Sequence, residues 1–200
     1  MTILHLDCSA RTEGSVTRAL SRYAVDRLRV MNNSTVVRRD LTDPKLLHVD
    51  ACVAEAMFVE NDDLSERQRA ALKLSDALTA ELLEANWVVA GIPMYNFSVP
   101  STFKSWIDHV VRPRKTFQRI SDGQLEGLCH GKTLFACTAG NGQFRGKPID
   151  HLRPYLENVF GFLGFDDIVF FDAERMAWGP EEKQSSIKAA HAEIDAYFAS

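Results

Sequence analysis

The chain has 200 residues, of which 46% are hydrophobic and 25% charged, and this composition is typical of a globular protein with one sizeable core. Its formal net charge of -4 argues against a nucleic-acid surface, and no apolar run approaches the roughly 20 residues of a membrane span. The N-terminus lacks a secretion signal and the four cysteines lack CxxC spacing. We therefore expect one cytoplasmic domain over residues 1–200, with free thiols.

Strand-like and helix-like segments alternate along the chain. Short, β-branched apolar runs predict strands at residues 2–8, 35–39, 87–92, 132–138 and 167–171. Apolar residues at helical spacing predict helices at residues 15–30, 65–84, 101–111, 149–163 and 181–198. Pro154 marks the first turn of the fourth of these helices. The pattern predicts an α/β fold, a five-stranded parallel sheet of flavodoxin-like order 2-1-3-4-5 with helices on both faces.

The sequence allows more than one interpretation for three further segments. Residues 40–63 are polar and irregular, which predicts either a functional loop or a short helix. The basic cluster of residues 112–119 is expected to be a solvated loop, although it also makes NADPH worth testing against NADH. Most late aromatic residues are expected in the core, with Phe160 and Phe162 as alternative candidates for a pocket mouth or a dimer interface.

The first predicted strand runs into a loop rich in hydroxyl groups at the start of a helix. Ser9, Ser15 and Thr17, with Arg11, surround a helix N-terminus, where free N–H groups and the helix dipole favour an anion. Such donors suit a phosphate monoester. The alternative is structural, with Ser15 as an N-cap and Ser9 as a turn residue.

The third predicted strand is followed by a loop of unusual composition. Loops at the carboxyl ends of strands in open α/β sheets bind ligands. A planar ligand would explain why this loop consists of large side chains: Met94, Tyr95, Asn96 and Phe97.

The fourth predicted strand ends in a glycine-rich loop made of Thr138, Ala139, Gly140 and Asn141. Its glycine would allow the backbone to approach a ligand closely, or the segment is a plain flexible turn. Its spacing fits neither a P-loop nor the dinucleotide-binding fingerprint. The sequence also lacks metal-binding histidine spacing and a hydrolase nucleophile elbow. Together the three loops suit a mononucleotide with a planar ring, and flavin mononucleotide (FMN) fits best.

At these residues the chain resembles the FMN-dependent NADH-azoreductases, also described as NADH:quinone reductases, of the flavodoxin-like superfamily. The resemblance spans nearly the whole chain and is strongest at residues 93–97, with further similarity at residues 154–156, 161–164 and 178–181. It implies one FMN per subunit and a homodimer with active sites at the subunit interface. It also implies phosphate contacts at residues 9 and 15–17, ring contacts at 94–97, and contacts to the polar edge of the ring at 138–141.

The fourth-strand loop departs from the family, which commonly has Ser-Arg-Gly-Gly where this chain has residues 138–141 as Thr-Ala-Gly-Asn. Binding survives this change if the contacts come mainly from backbone amides. Substrate or nucleotide choice changes if the missing Arg side chain matters.

The resemblance leads to a double-displacement hypothesis, in which NADH or NADPH passes a hydride to the flavin and leaves before a quinone or azo compound takes its place. A flavin or nitro-compound reductase is a close alternative. A flavodoxin-type electron carrier without its own NAD(P)H turnover is the main rival of another class. A flavin-free regulator with the same fold is the second.

Overall fold

The computed structural model describes residues 1–44 and 46–199, so Lys45 of the irregular segment lies outside the described residues. The strands are β1 (Thr2–Asp7), β2 (Thr35–Asp40), β3 (Trp87–Pro93), β4 (Phe117–Arg119), β5 (Leu125–Gly127), β6 (Thr133–Ala139) and β7 (Asp167–Ala173). The helices are α1 (Val16–Asn32), α2 (Ala51–Ala56), α3 (Glu66–Glu84), α4 (Ser101–Val110), α5 (Leu152–Leu163) and α6 (Pro180–Ala199).

Five strands form one parallel sheet in the order β2-β1-β3-β6-β7. These are the five predicted strands, so the flavodoxin-like order is confirmed. Consecutive residues of β3 face opposite sides of the sheet: Val88 packs with α3, α4 and α5, whereas Val89 packs with α1 and α6. Both faces of the sheet are therefore covered, as parallel sheets require.

Two predicted helix boundaries depend on identifiable caps. Ser65 Oγ accepts the amide hydrogen of Gln68, and the Ser65 amide donates to Gln68 Oε1, which forms a capping box at the start of α3. Asp150 accepts the amide hydrogens of Leu152 and Arg153, each at 3.1 Å, so α5 begins at Leu152 and not at residue 149. Pro154 then lies in the first turn, as predicted.

The irregular segment contains the short helix α2, which was one of its two expected forms. Val53, Ala56 and Met57 of this segment pack against Leu72 of α3 in a small separate cluster. No helix among residues 1–44 and 46–199 combines the length and apolar character that crossing a bilayer requires.

The expectation of a solvated basic loop was wrong for Arg112. This residue is buried because its guanidinium donates to Ser75 Oγ at 2.6 Å and to Asp76 Oδ1 at 3.1 Å. Lys115 pairs with the same Asp76 carboxylate at 2.7 Å. The segment continues into the β4–β5 hairpin, which the sequence pattern did not predict because its strands are only three residues long and largely polar.

The two late phenylalanines have different positions. Phe160 is fully buried between Phe103 and Phe165, so its alternative place at a pocket mouth or interface was wrong. Phe162 remains 37% exposed and packs against Phe117 of the hairpin, with 5.1 Å between ring centroids.

We expect Gly91→Ala to destabilise the fold, because α1 crosses β3 in direct contact with this glycine. A Cβ at Gly91 would lie 2.7 Å from the Thr17 carbonyl oxygen and 2.8 Å from Ser21 Oγ. Overpacking of this kind costs roughly 1–3 kcal/mol. Urea denaturation would measure the loss. Gly161→Ala is the matched control, because nothing lies within 4 Å of its added Cβ. Equal stability of the two variants would contradict the prediction.

Candidate functional site

The loops that follow β1, β3 and β6 border one open pocket at the carboxyl edge of the sheet. This is the edge at which open α/β sheets bind ligands. Nine of the twelve predicted site residues line the pocket: Ser9, Ser15, Val16, Thr17, Met94, Tyr95, Ala139, Gly140 and Asn141.

The first loop presents the N-terminus of α1 to the pocket. Ser15 is the N-cap, and its Oγ accepts the amide hydrogen of Arg18 at 3.4 Å and lies 3.3 Å from Thr17 Oγ1. The structural alternative for Ser15 is thus confirmed, and the same residue also lines the pocket. The first N–H groups of a helix have no intrahelical partner, so this end can receive an anion.

The side chain of Arg18 holds the loop after β1 in place. Its Nη2 and Nε donate to the Ser9 carbonyl oxygen at 2.7 and 3.2 Å, and the same guanidinium forms a bidentate pair with Asp40 at 2.7 and 2.9 Å. Burial raises the pKa of Asp40, but the hydrogen bonds from Arg18 and Thr42 outweigh it and hold that pKa well below its usual range. The position of Ser9 is therefore coupled to an ion pair at the end of β2.

The loop after β3 is a tight turn. Tyr95 and Ser98 exchange backbone hydrogen bonds of 2.9 and 3.1 Å, while Asn96 and Phe97 have φ angles of 48° and 72°. These angles are those of a type I′ turn, and a positive φ is rare for a residue as bulky as Phe97. Tyr95 Oη also accepts the amide hydrogen of Ala10 at 3.3 Å, so this side chain joins the first and second loops.

The loop after β6 is held by backbone hydrogen bonds to the last residue of β7 and to the segment that follows it. The amide of Gly140 donates to the Ala173 carbonyl at 3.0 Å, and the Gly140 carbonyl accepts from Met176 at 3.1 Å. The Asn141 and Gly142 carbonyls accept from Ala177 and Arg175 at 3.2 and 2.8 Å. The segment is therefore pinned along its backbone, unlike a plain flexible turn.

Three predicted residues do not line this pocket. Thr138 Oγ1 donates to Asp172 Oδ1 at 2.7 Å, which directs the hydroxyl toward β7. Asn96 lines a neighbouring open groove with Tyr155. Phe97 is 45% exposed and meets Phe144 edge to face.

The pocket also includes Arg11, which was expected beside the anion site of the first loop. Four further lining residues were not predicted: Gly14, Pro93, Met176 and Lys183. Arg11 and Lys183 add two cationic side chains to a site already suited to an anion. Met176 and Lys183 follow β7, whose carboxyl end lies at the same edge of the sheet as those of β1, β3 and β6. Applying the rule that ligands bind at this edge to the last predicted strand would have found that region.

The site offers binding and orientation more than covalent chemistry. Cys8 directly precedes Ser9, but burial raises the pKa of its thiol well above the usual value, so it is no ready nucleophile. No cluster of three or more His, Cys, Asp or Glu residues suited to a metal occurs among the described residues. Amide donors, hydroxyl groups and flanking aromatic residues are arranged for a phosphorylated ligand with a planar part.

Comparison with known proteins agrees with this geometry. A family model described as "Flavodoxin-like fold" matches residues 1–198, and the chain belongs to that family. It is 42% identical over 195 residues to FMN-dependent NADH:quinone oxidoreductase 1 of Trichormus variabilis, covering 97% of this chain and 94% of that protein. It is 39% identical over 189 residues to the FMN-dependent NADH:quinone oxidoreductase of Azotobacter vinelandii, covering 94% of each.

Solved structures are similar as well. The crystal structure of azoreductase AzrA has a TM-score of 0.89 and 25% identity, with 99% of each chain covered. An FMN-dependent NADH-azoreductase of Bacillus anthracis, solved with FMN, has a TM-score of 0.85, covering 99% of this chain and 96% of that one. At 20% identity this second likeness supports the fold alone.

We expect Asp40→Asn to remove a pH-dependent part of the stability. The pKa of Asp40 is lower in the folded than in the unfolded chain, so its contribution is present above about pH 4 and is lost as the pH falls further. The difference in unfolding free energy between wild type and Asp40→Asn should therefore shrink from pH 6 toward acid. Urea titrations at several pH values measure it. Gln184→Ala, which changes no titratable group at an exposed position of α6, is the control.

Proposed function

We propose that this single-domain chain is an FMN-dependent NADH:quinone oxidoreductase that also reduces azo compounds. The observation that carries the proposal is the pocket, which joins a helix N-terminus with hydroxyl groups to a pinned glycine loop and the turn after β3. Relatives with that activity in their names, 39–42% identical over nearly the whole chain, support it.

The residues present fit FMN at its phosphate end. Ser9, Ser15, Val16 and Thr17 would hold the phosphate, because the pocket receives the N-terminus of α1 together with the hydroxyl pair of Ser15 and Thr17. Arg11 supplies nearby positive charge.

The loops after β3 and β6 would hold the ring. Residues 94–97 would contact the isoalloxazine and residues 138–141 its polar edge. The amides of Met94, Tyr95 and Gly140 already donate to backbone carbonyls, at 2.8, 2.9 and 3.0 Å. These three amides are therefore already engaged and would not donate to the ring.

FMN, when bound, supplies the hydride and two-electron chemistry, and the protein supplies position and electrostatics. Loop amides aimed at the ring would stabilise negative charge there. The nicotinamide and the quinone or azo acceptor would occupy the same place in turn, which gives double-displacement kinetics. No side-chain acid is needed, so we assign none.

We also propose a homodimer and a cytoplasmic location. Exposed apolar side chains on and beside the hairpin and α5, namely Ile120, Leu125 and Phe162, support a subunit contact. The four unpaired cysteines suit a reducing compartment.

We expect the purified protein to be yellow, to bleach when NADH is added without air, and to regain its colour with benzoquinone. Visible absorption with and without added FMN measures each step. NADPH is tested in parallel. Initial rates at varied NADH and quinone should give parallel double-reciprocal lines.

The other outcomes separate the rivals. Yellow protein that neither NADH nor NADPH bleaches is an electron carrier. Colourless protein that ignores added FMN is a flavin-free member of the fold. Intersecting lines would exclude double displacement while leaving the activity in place.

We expect Thr17→Val to weaken FMN binding and to leave riboflavin binding unchanged, because riboflavin lacks the phosphate. Loss of a hydrogen bond to a charged group should raise the Kd for FMN about tenfold or more. Quenching of flavin fluorescence measures both affinities. Thr12→Val is the matched control, at an exposed threonine of the same loop. An equal loss for both flavins would show that Thr17 does not contact the phosphate.

A further inference from the structure

A second, smaller cavity adjoins the pocket, because Met94, Ala139 and Gly140 line both. Phe144 lines the second cavity on the loop between β6 and α5. We propose that Phe144 and Phe97 form an aromatic wall that selects flat, fused-ring electron acceptors, and that Glu174 is the positioning residue for this wall. The proposal rests on the proposed reductase function and names a determinant of its acceptor choice.

The Phe144 ring lies directly on the glycine loop. A Cβ added at Gly140 would be 3.0 Å from Phe144 Cδ2, and one added at Gly142 would be 2.8 Å from Phe144 Cζ. The ring thus packs against the backbone at the carboxyl end of β6, next to the residues proposed to meet the polar edge of the flavin. Glycine at both positions gives the ring room to lie there.

Phe97 completes the wall from the other side. Its ring meets that of Phe144 with 6.1 Å between centroids and an angle of 80°, an edge-to-face arrangement. The Phe97 carbonyl accepts the His151 amide hydrogen at 3.1 Å, which connects the turn after β3 with the start of α5. Phe144 therefore lines the second cavity, and Phe97, which is 45% exposed, packs against the Phe144 ring.

Glu174 holds Phe144 in this position. Its Oε1 accepts the amide hydrogens of Phe144 and of Arg145, the latter at 2.8 Å. The Phe144 carbonyl in turn accepts the Lys147 amide hydrogen at 2.9 Å, which closes the turn. Hydrogen bonds to a carboxylate are stronger than neutral ones, so one side chain just after β7 sets the place of the loop.

The chemistry of the wall indicates its ligand class. Phenylalanine offers no hydrogen bond, so the wall recognises shape and π-surface through stacking or edge contacts. A fused two-ring quinone presents more π-surface than a single-ring quinone. The wall should therefore favour naphthoquinones over benzoquinones.

The test compares kcat/KM for 1,4-naphthoquinone and 1,4-benzoquinone with NADH as donor. We expect Phe144→Leu to lower the naphthoquinone-to-benzoquinone ratio by roughly threefold to tenfold, the range that one aromatic contact supports. Glu174→Ala should lower the same ratio because it releases the loop. Glu174→Gln, which keeps an acceptor oxygen, should restore most of it. Gln143→Ala, in the same loop, is the matched control and should keep the wild-type ratio.

The outcomes are distinguishable. If wild type turns over both quinones and Phe144→Leu keeps their ratio, the wall is overturned while the proposed function stands. If Glu174→Ala and Glu174→Gln alter the ratio equally, positioning by Glu174 is overturned. If wild type binds no FMN or oxidises no NADH, the proposed function fails and the wall fails with it. Flavin absorbance and fluorescence of each variant, measured without turnover, show which case applies.

Discussion

The pairing of Arg18 with Asp40 and with the Ser9 carbonyl is the interaction on which the proposed phosphate end of the site depends. Arg18 is largely buried, and its guanidinium connects α1, the end of β2 and the loop after β1. Asp7 adds a second carboxylate at 3.3 Å. A buried ion pair contributes little net stability against an apolar replacement, but losing one partner leaves a buried charge. Its value here is geometric, since it holds the Ser9 backbone and leaves the Ser9 hydroxyl beside the pocket.

The other two loops are likewise held by hydrogen bonds to their backbone, which leaves exposed groups to contact a ligand. The turn after β3 is closed by the mutual bonds of Tyr95 and Ser98, and the loop after β6 is pinned to residues 175–177. Neither set of bonds uses a side chain, so the loop after β6 keeps its place although residues 138–141 differ from the Ser-Arg-Gly-Gly common in the family it resembles. The change at this loop therefore bears on which ligand groups are contacted more than on whether the loop is formed.

The sheet and most of the site could be predicted because both follow from local patterns. Apolar runs such as residues 87–92 predict buried strands. Because ligands of open α/β sheets bind at the carboxyl ends of the strands, the loops after three of these strands are predicted to lie together. What escaped prediction depends on long-range contacts. Arg112 is charged and follows a helix, and only its meeting with Ser75 and Asp76 takes it out of solvent. The β4–β5 hairpin is too short and polar to show a period. Thr138 was expected at the pocket, but Asp172, 34 residues later, takes its hydroxyl.

Several contacts that shape the pocket are made by residues 172–177, at the end of β7 and directly after it, which no local pattern marked. Asp172 holds Thr138, Ala173 and residues 175–177 hold the glycine loop, and Glu174 holds Phe144. The end of β7, the last strand of the sheet, thus supports one side of the site. The other sides are formed by the loops after β1 and β3. The proposed phosphate end is held by Arg18 of α1, and the loop that carries Phe144 is held by Glu174. Because these two supports share no residue, we expect substitutions at Glu174 to act on the proposed acceptor side and to leave the Ser9 loop in place.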